Sequence, residues 1–531
     1  MKKLLYTLLL GLPLLTGCSD FLDRYPGDAL SPSSFWKTEA DAKLALTGCY
    51  SQFTSGWDIM YWDCASDNAY NFHIHEGYQV LGNSSMSQSD PGTGMFSFLD
   101  IRACNEYLEN EGTIAFASEA TRARYSAEVR CIRAFLYFQK SFNYGDFPFF
   151  TSNFKTPEEA KVARTPQSEI YAFVEKELKE SIPSLPETAE AGRFNKGAAQ
   201  ALLMRFYLYT GDHAKALATA KSIEGYSMPA LSFEESFLMA NQYNSEMILT
   251  TESVENNYSF DFTPFLPNSS SGWSSVVPTQ SLVDAYETAD GLTIQEAQAA
   301  GTYDPTNPYV NRDPRLRATI IYPGQNFNGG IFDSVDPKSP DFTASANNAS
   351  KTGYNFKKFY SNLEQFPQNF WNTAKNFPVF RYAEVLLTIA ECKVELNQID
   401  NELYDAVDQV RTRAGMPKVD RVKYATQAKL RELVRRERRV EFAYEGLRRY
   451  DVIRWGIGEI AMKGELRTCP RGEVLDEVAD PATGDHKVNL NKASDLIEVR
   501  KFQNGKSELL PIPQSSLDKN ENLTQNPGYD L

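Results

Sequence analysis

Apolar positions return every three to four residues through 98–110, 121–143, 167–181, 195–210 and 213–223, a spacing that gathers them on one helical face. Thr38-Glu39-Ala40-Asp41 reads as a capping-box start, and 42–53 continues it as an amphipathic helix. Tyr144-Gly145-Asp146 and Thr210-Gly211-Asp212 supply glycine stops at two helix ends. Between the first two helices, 54–97 is crowded with aromatics and with Asp, Asn, Gly and Ser, which predicts a loop-rich stretch.

The helices look repetitive. In KGAAQALLMRFYLYTGDHAKALATAKSI (196–223), Ala198 and Ala201 let two helices approach closely, Gly211-Asp212 turns the chain, and Ala216 and Ala220 form the tight face of the second helix. FRYAEVLLTIAECKVELNQIDNELYDAVDQVRTRAG (380–415) repeats that logic with Ala383, Ala390, Asn397 and Ala406. Two looser units are 38–53 with 98–110 and 121–143 with 167–181. Units of this kind cannot bury their apolar face alone and stack into a superhelix, as tetratricopeptide repeats do. Residues 231–375 read differently: Pro, Gly, Asn and Ser are frequent, with strand-like pieces at 246–249 and 317–321. The fold expected is mostly α, a tetratricopeptide-like helical scaffold carrying a large irregular, short-stranded insertion. Its divisions are 1–17, 18–37, 38–230 with the aromatic loop 54–97, and 231–531, the last made of 231–375, a helical 376–456 and a final segment 457–531.

The start of the chain adds a location. Met1-Lys2-Lys3 precedes an apolar run, Leu4 to Leu15, which as a helix would be about 18 Å long against a bilayer core of about 30 Å. A charged start, a short apolar run and small residues at its end describe a cleaved secretory signal. Leu15-Thr16-Gly17-Cys18 resembles a bacterial lipobox, which makes Cys18 the expected lipidated first residue of the mature chain, with 18–37 as a tether. Acyl chains hold a protein to a membrane at about 0.8 kcal/mol per buried methylene. The other cysteines are irregularly spaced without a CxxC; Cys131 and Cys392 fall in helical patterns as small buried hydrophobes, and mostly free thiols are expected. A formal net charge of −15 makes the chain a poor binder of nucleic acid backbones, whose affinity comes from neutralising phosphates, and no nucleic acid partner is expected. Aromatics make up 13% of the 531 residues, more than a core needs, which points to a binding surface.

Catalytic motifs are weak. Ser34-Phe35-Trp36-Lys37, Ser66-Asp67-Asn68 and Lys351-Thr352-Gly353 match S-x-x-K, S-D-N and K-T-G in order. The first pair needs one helical turn, yet the helix starts only after Lys37, so the match reads as coincidence. His73-Ile74-His75-Glu76 lacks a third histidine nearby and reads as solvated loop, so no metal or cofactor is expected. The run RELVRRERRVEFAYEGLRRYDVIRW (431–455) interleaves Glu432, Glu437, Glu441 and Glu445 with arginines at helical spacing, predicting a self-paired structural helix.

The ordered set of segments resembles the SusD/RagB family of Bacteroidetes outer-membrane lipoproteins. It comprises the lipobox, SFWKTEADAKLALTGCY, AEVRCIRAFLYFQKSFNYGDFPF, SEMIL, PTQSLVDAYETADG, NRDPRL, KTGYNFKKF, FPVFRYAEVLLTIAE, VRTRAGMP, RRERRVEFAYEGLRRYDVIRWG and LLPIPQSSLDKNENLTQNPGY. The resemblance implies a non-enzymatic surface protein that captures oligosaccharide (in some members peptide) and passes it to a SusC-like TonB-dependent barrel. A peptide-binding or scaffolding lipoprotein is the alternative. A pyranose stacks its C–H face on Trp and Tyr while its hydroxyls need polar side chains. The candidate ligand residues are therefore Trp57, Tyr61, Trp62, Tyr70 and Phe72 with Asp67 and Asn68, then Trp273, and Trp371 with Asn372. Trp36 and Trp455 lie in framework segments and are expected to be structural.

Overall fold

The computed structural model describes residues 35–366 and 369–529. Cys18 and the whole leader lie outside the described residues, as does Ser34. Helix α1 (Glu39–Ser51) starts at the expected box: Thr38 Oγ1 accepts the Asp41 N–H at 3.2 Å, and Asp41 Oδ2 accepts the Thr38 N–H at 2.8 Å. A second capping box, Ser55 with Asp58, starts α2 (Gly56–Trp62) inside the stretch expected to be loop, and α3 (Tyr78–Asn83) follows it. Both are too short to show a helical period in sequence. Then come α4 (Leu99–Asn110), α5 (Glu119–Tyr144), α6 (Gln167–Ser181), α7 (Lys196–Tyr209) and α8 (His213–Lys221).

These helices stack in chain order: α1 on α4 and α5, α5 on α6, α6 on α7, α7 on α8. Ala198, Ala201, Ala216 and Ala220 are buried in the α7–α8 unit. Gly211 makes its turn with a φ of +81°, a left-handed conformation that glycine adopts without a Cβ clash. The Asp212 side chain then accepts the Lys215 N–H and starts α8.

After α8 the chain leaves the stack. The insertion holds α9 (Gln280–Ala285), α10 (Ile294–Ala300) and α11 (Pro314–Thr319) among two-stranded pairs. The strand expected at 246–249 is present as Met247–Thr251, antiparallel to Phe377–Arg381. The strand expected at 317–321 is mostly helix: Asp313 caps α11 and Pro314 opens it, leaving only Ile320–Ile321 extended. Helix α12 (Tyr382–Glu395) rejoins the stack by docking on α8, and it packs against α13 (Asn401–Arg413) and α14 (Gln427–Glu441). The fold is mostly helical, a repeat scaffold with short scattered strands.

The helix expected over 431–455 breaks in two. Helix α14 ends at Glu441 and α15 (Arg448–Arg454) starts seven residues on, because Tyr444 takes a φ of +69° and Gly446 one of +71°. Asp63, from the stretch between α2 and α3, clamps this turn: its Oδ2 accepts the Tyr444 N–H at 2.5 Å. A Cβ on Gly446 would stand 2.6 Å from the Ile59 carbonyl oxygen, so the turn fits only a glycine there.

The charges of α14 are structural, and they are self-paired only in part: Lys429 meets Glu432, and Asp451 of α15 takes Arg438 and Arg454, while the buried glutamates pair outside the run. Glu441 accepts from Arg381 at 2.7 Å, from Arg315 at 3.2 Å and from Arg413. Glu437 pairs with Arg315 at 2.9 Å and with Arg411, while Arg438 reaches Asp451 at 3.1 Å. Burial opposes ionisation of Glu441, yet Arg413, Arg381 and Arg315 together hold its carboxyl well below the usual carboxylate range. The network ties α11, α13, α14 and the strand Phe377–Arg381 together. Beyond α15 come antiparallel pairs 463–467 with 496–501 and 471–480 with 485–492, then a segment with the short helix Gln514–Leu517. The six described cysteines are free and buried.

Candidate functional site

The structure divides the candidate residues into an outer and an inner set. The outer set begins with Trp57 in the first turn of α2, which is 37% exposed. It stacks on Tyr61 one turn later, with ring centroids 5.8 Å apart and planes 8° apart, and leans on Phe260 and Phe265 at 5.7 and 5.3 Å. Trp273, 44% exposed, sits in a tight loop whose flanking Ser271 and Ser274 have φ of 64° and 48°. A Cβ on Gly272 would stand 2.1 Å from the Leu266 carbonyl oxygen, so this position takes only a glycine. Trp371, 55% exposed, meets Phe370 edge-to-face at 4.9 Å.

One segment supports all three tryptophans. Phe260 exchanges backbone hydrogen bonds with Thr373, at 2.9 and 3.0 Å, and Phe262 N–H donates to the Phe370 carbonyl at 2.9 Å, which seats Trp371. Thr263 carbonyl accepts the Trp273 N–H at 3.0 Å. Phe260 and Phe265 are the rings beneath Trp57. The buried aromatic stretch 260–265 is thus a common floor.

Phe72 is half-buried beside this surface, with its ring 3.8 Å from the His73 ring and the Lys351 Nζ 4.9 Å from its centroid. His73 Nε2 lies 3.0 Å from the Trp273 carbonyl oxygen and links the two loops. Asn372 spends its amide on the scaffold: Nδ2 donates to Asn256 Oδ1 at 2.7 Å, and its Oδ1 accepts the Asn256 N–H at 2.8 Å.

The inner set corrects the expectation of an exposed aromatic loop. Tyr61, Trp62 and Tyr70 are buried. Tyr61 packs between Tyr78 and Phe265, and burial pushes its hydroxyl pKa up. Trp62 lines a cleft of ≈ 400 Å³ between α2 and α5 and packs on Tyr450. The Tyr70 hydroxyl accepts from Gln79 Nε2 at 3.0 Å. Asp67 takes both Arg448 hydrogen bonds, at 2.7 and 2.9 Å, and Asn68 Oδ1 accepts from Arg439 at 3.0 Å. Burial opposes the ionisation of Asp67, but Arg439 and Arg448 outweigh it and hold the carboxyl far below its usual range. These five residues brace the fold because α2 and the pairing of Ala69–Tyr70 with Val277–Pro278 turn them inward.

Sequence reasoning missed two further exposed rings, Tyr258 and Tyr243, at 58% and 59%. The polar run Glu255-Asn256-Asn257 before Tyr258 was the signal available.

A repeat stack that presents an aromatic surface on an irregular insertion defines a helical-scaffold binding protein. The chain belongs to the SusD family: the family model matches residues 233–529, more than half of it. A second model, described as starch-binding associating with outer membrane, matches 49–208. The chain is 26% identical over 488 residues to SusD-like protein P25 of Formosa agariphila, covering 83% of this chain and 87% of that one. It superposes on a SusD-like carbohydrate binding protein from Bacteroides fragilis with a TM-score of 0.80 at 30% identity, covering 92% of this chain and all of that one. A further SusD-like protein from the same organism gives a TM-score of 0.77 at 25% identity over 95% of this chain. The family is associated with the outer membrane, and among the described residues no helix is long and apolar enough to cross one.

Proposed function

We propose that this protein is a cell-surface, lipid-anchored binding protein that captures oligosaccharide and passes it to a SusC-like TonB-dependent barrel, without covalent chemistry of its own. The carrying observation is the trio Trp57, Trp273 and Trp371, half exposed over one buried aromatic floor. Such indoles present flat faces for sugar C–H groups, and their fixed seats keep the ordering cost of binding low. The carbohydrate binding named for the Bacteroides fragilis relative supports the same reading. Cys18 is the proposed point of lipid attachment, and the helical stack is the surface proposed to meet the barrel.

Calorimetry against a panel of neutral oligosaccharides tests the capture step. Trp273→Ala and Trp371→Ala should each weaken binding of the recognised glycan by about three- to tenfold, the worth of one aromatic contact. Melting temperatures should hold. If both variants bind as the parent does, the trio is not the site.

A further inference from the structure

A cleft of ≈ 710 Å³ opens between α9, the last turns of α14, α15 and the strand Lys463–Arg467, and none of the three surface tryptophans lines it. Its lining runs against a chain of net charge −15. Arg435, Arg436, Arg439, Arg448 and Arg467 border it, with Asp284 and Glu465 as its acids.

Most of these cations are matched. Arg436 pairs with Glu287, and Arg467 with Glu465 at 2.8 Å. Arg439 and Arg448 share the single carboxylate of Asp67, at 2.9 and 2.7 Å. Arg435 differs: among the described residues no carboxylate pairs with it, and its Nε is buried without an acceptor. Its guanidinium carbon lies 4.8 Å from the centroid of the Trp455 ring, and Trp455 is itself fixed by an Nε1–H···Oε1 bond to Glu391 of 2.7 Å. Burial lowers the Arg435 pKa, so an anion at its open edge would relieve an existing penalty. The cleft therefore holds a guanidinium stacked on a held indole and a second, half-neutralised pair, a geometry suited to a planar or tetrahedral oxyanion.

We propose that this cleft is a second ligand site, taking the carboxylate or sulfate ester of an acidic saccharide, with Arg435 as the residue that binds the anion. Gln280, Ser281 and Thr293 line the cleft but spend their side chains on Asp284, Tyr354, Arg439 and Glu296, which leaves the Gln295 amide and the Ser494 hydroxyl for sugar hydroxyls, and the volume falls in the range of ligand pockets, roughly 300–1,000 Å³. That the anion is carried on a saccharide rests on the glycan reading above; the anion site does not.

The test is calorimetry of the full chain at low ionic strength with oligogalacturonate, a sulfated disaccharide, inorganic sulfate and a neutral oligosaccharide. At least one acidic sugar should bind, its affinity falling about tenfold in Arg435→Met and less in Arg435→Lys, the loss of one charge-assisted contact. Which acidic sugar binds tells carboxylate from sulfate ester. Binding of neutral sugar should be unchanged in Arg435→Met and reduced in Trp273→Ala, so the two sites fail separately. Failure of both acidic sugars to bind, binding of inorganic sulfate alone, or unchanged acidic-sugar affinity in a folded Arg435→Met each overturns the proposal.

Discussion

Glu441 is the buried carboxylate on which three elements converge, so its replacement measures what the charge network contributes. In Glu441→Gln one acceptor oxygen survives, but Arg381, Arg315 and Arg413 lose the charge that balanced them. Removing one member of a buried ion pair costs about 3–5 kcal/mol, because a desolvated partner is left uncompensated. The glutamine should fall at the lower end, and Glu441→Ala, which also leaves a void, at the upper. With an unfolding entropy of about 2.1 cal/mol/K per residue, a chain of this size shifts its melting point by roughly 1 °C per kcal/mol. Calorimetric melting should therefore drop by about 3–5 °C. Because the native carboxyl pKa lies well below the ordinary 4.5, the stabilisation is complete above pH 4.5, declines below it, and is lost once pH has fallen through the native value. The gap between parent and Glu441→Gln should stay constant from pH 8 to pH 5 and narrow below about pH 4.5. A melting point within about 1 °C of the parent at pH 7 would show that the arginines find other partners and that the network is not cooperative.

Asp63 should behave in the opposite sense. Burial raises its carboxyl to about 7 from an ordinary 3.8, so the native state holds the proton more tightly and loses stability as pH rises through that window. Asp63→Asn should gain on the parent between pH 4 and pH 8 in urea unfolding; a pH-independent difference would refute this. Lys375, buried with its Nζ donating to the Phe237 carbonyl at 2.6 Å, has its pKa lowered to about 7 by burial. Its contribution is present above the ordinary 10.5 and lost as pH falls to about 7, so Lys375→Met should flatten the loss of stability from pH 10 to pH 7. Gly446→Ala should destabilise by about 1–3 kcal/mol in the same assay, since the positive φ and the Ile59 carbonyl both exclude a Cβ. An unchanged midpoint would mean that the turn has an alternative path.

How much was legible follows from what each residue's neighbours are. The α7–α8 unit was readable because alanine spacing, a glycine turn and an aspartate cap all act within thirty positions. Helix α2 was not, since its start depends on a two-residue box and its packing on Phe377, far along the chain. The break after Glu441 was hidden for the same reason: the clamp that holds Tyr444 is Asp63. In the candidate site, composition flagged Trp57, Trp273 and Trp371, which the structure exposes. It could not separate them from Tyr61, Trp62 and Tyr70, because which face of a short helix or strand turns inward is set by distant partners. Asp67 and Asn68 looked like free hydrogen-bonding groups only while Arg439 and Arg448 were nearly four hundred residues away.

The docking of α12 on α8 has a consequence for biosynthesis. As the chain is made from its N-terminus, the face of α8 that docks on α12 is complete long before α12 is made. The growing polypeptide therefore carries an unfinished apolar seam while the entire insertion is still being translated, and such a seam is a site for holdase binding or for mispairing with another nascent chain. The stack can close only when the second half arrives. The insertion that bears the tryptophans thereby also sets how long the polypeptide must wait before its scaffold can close.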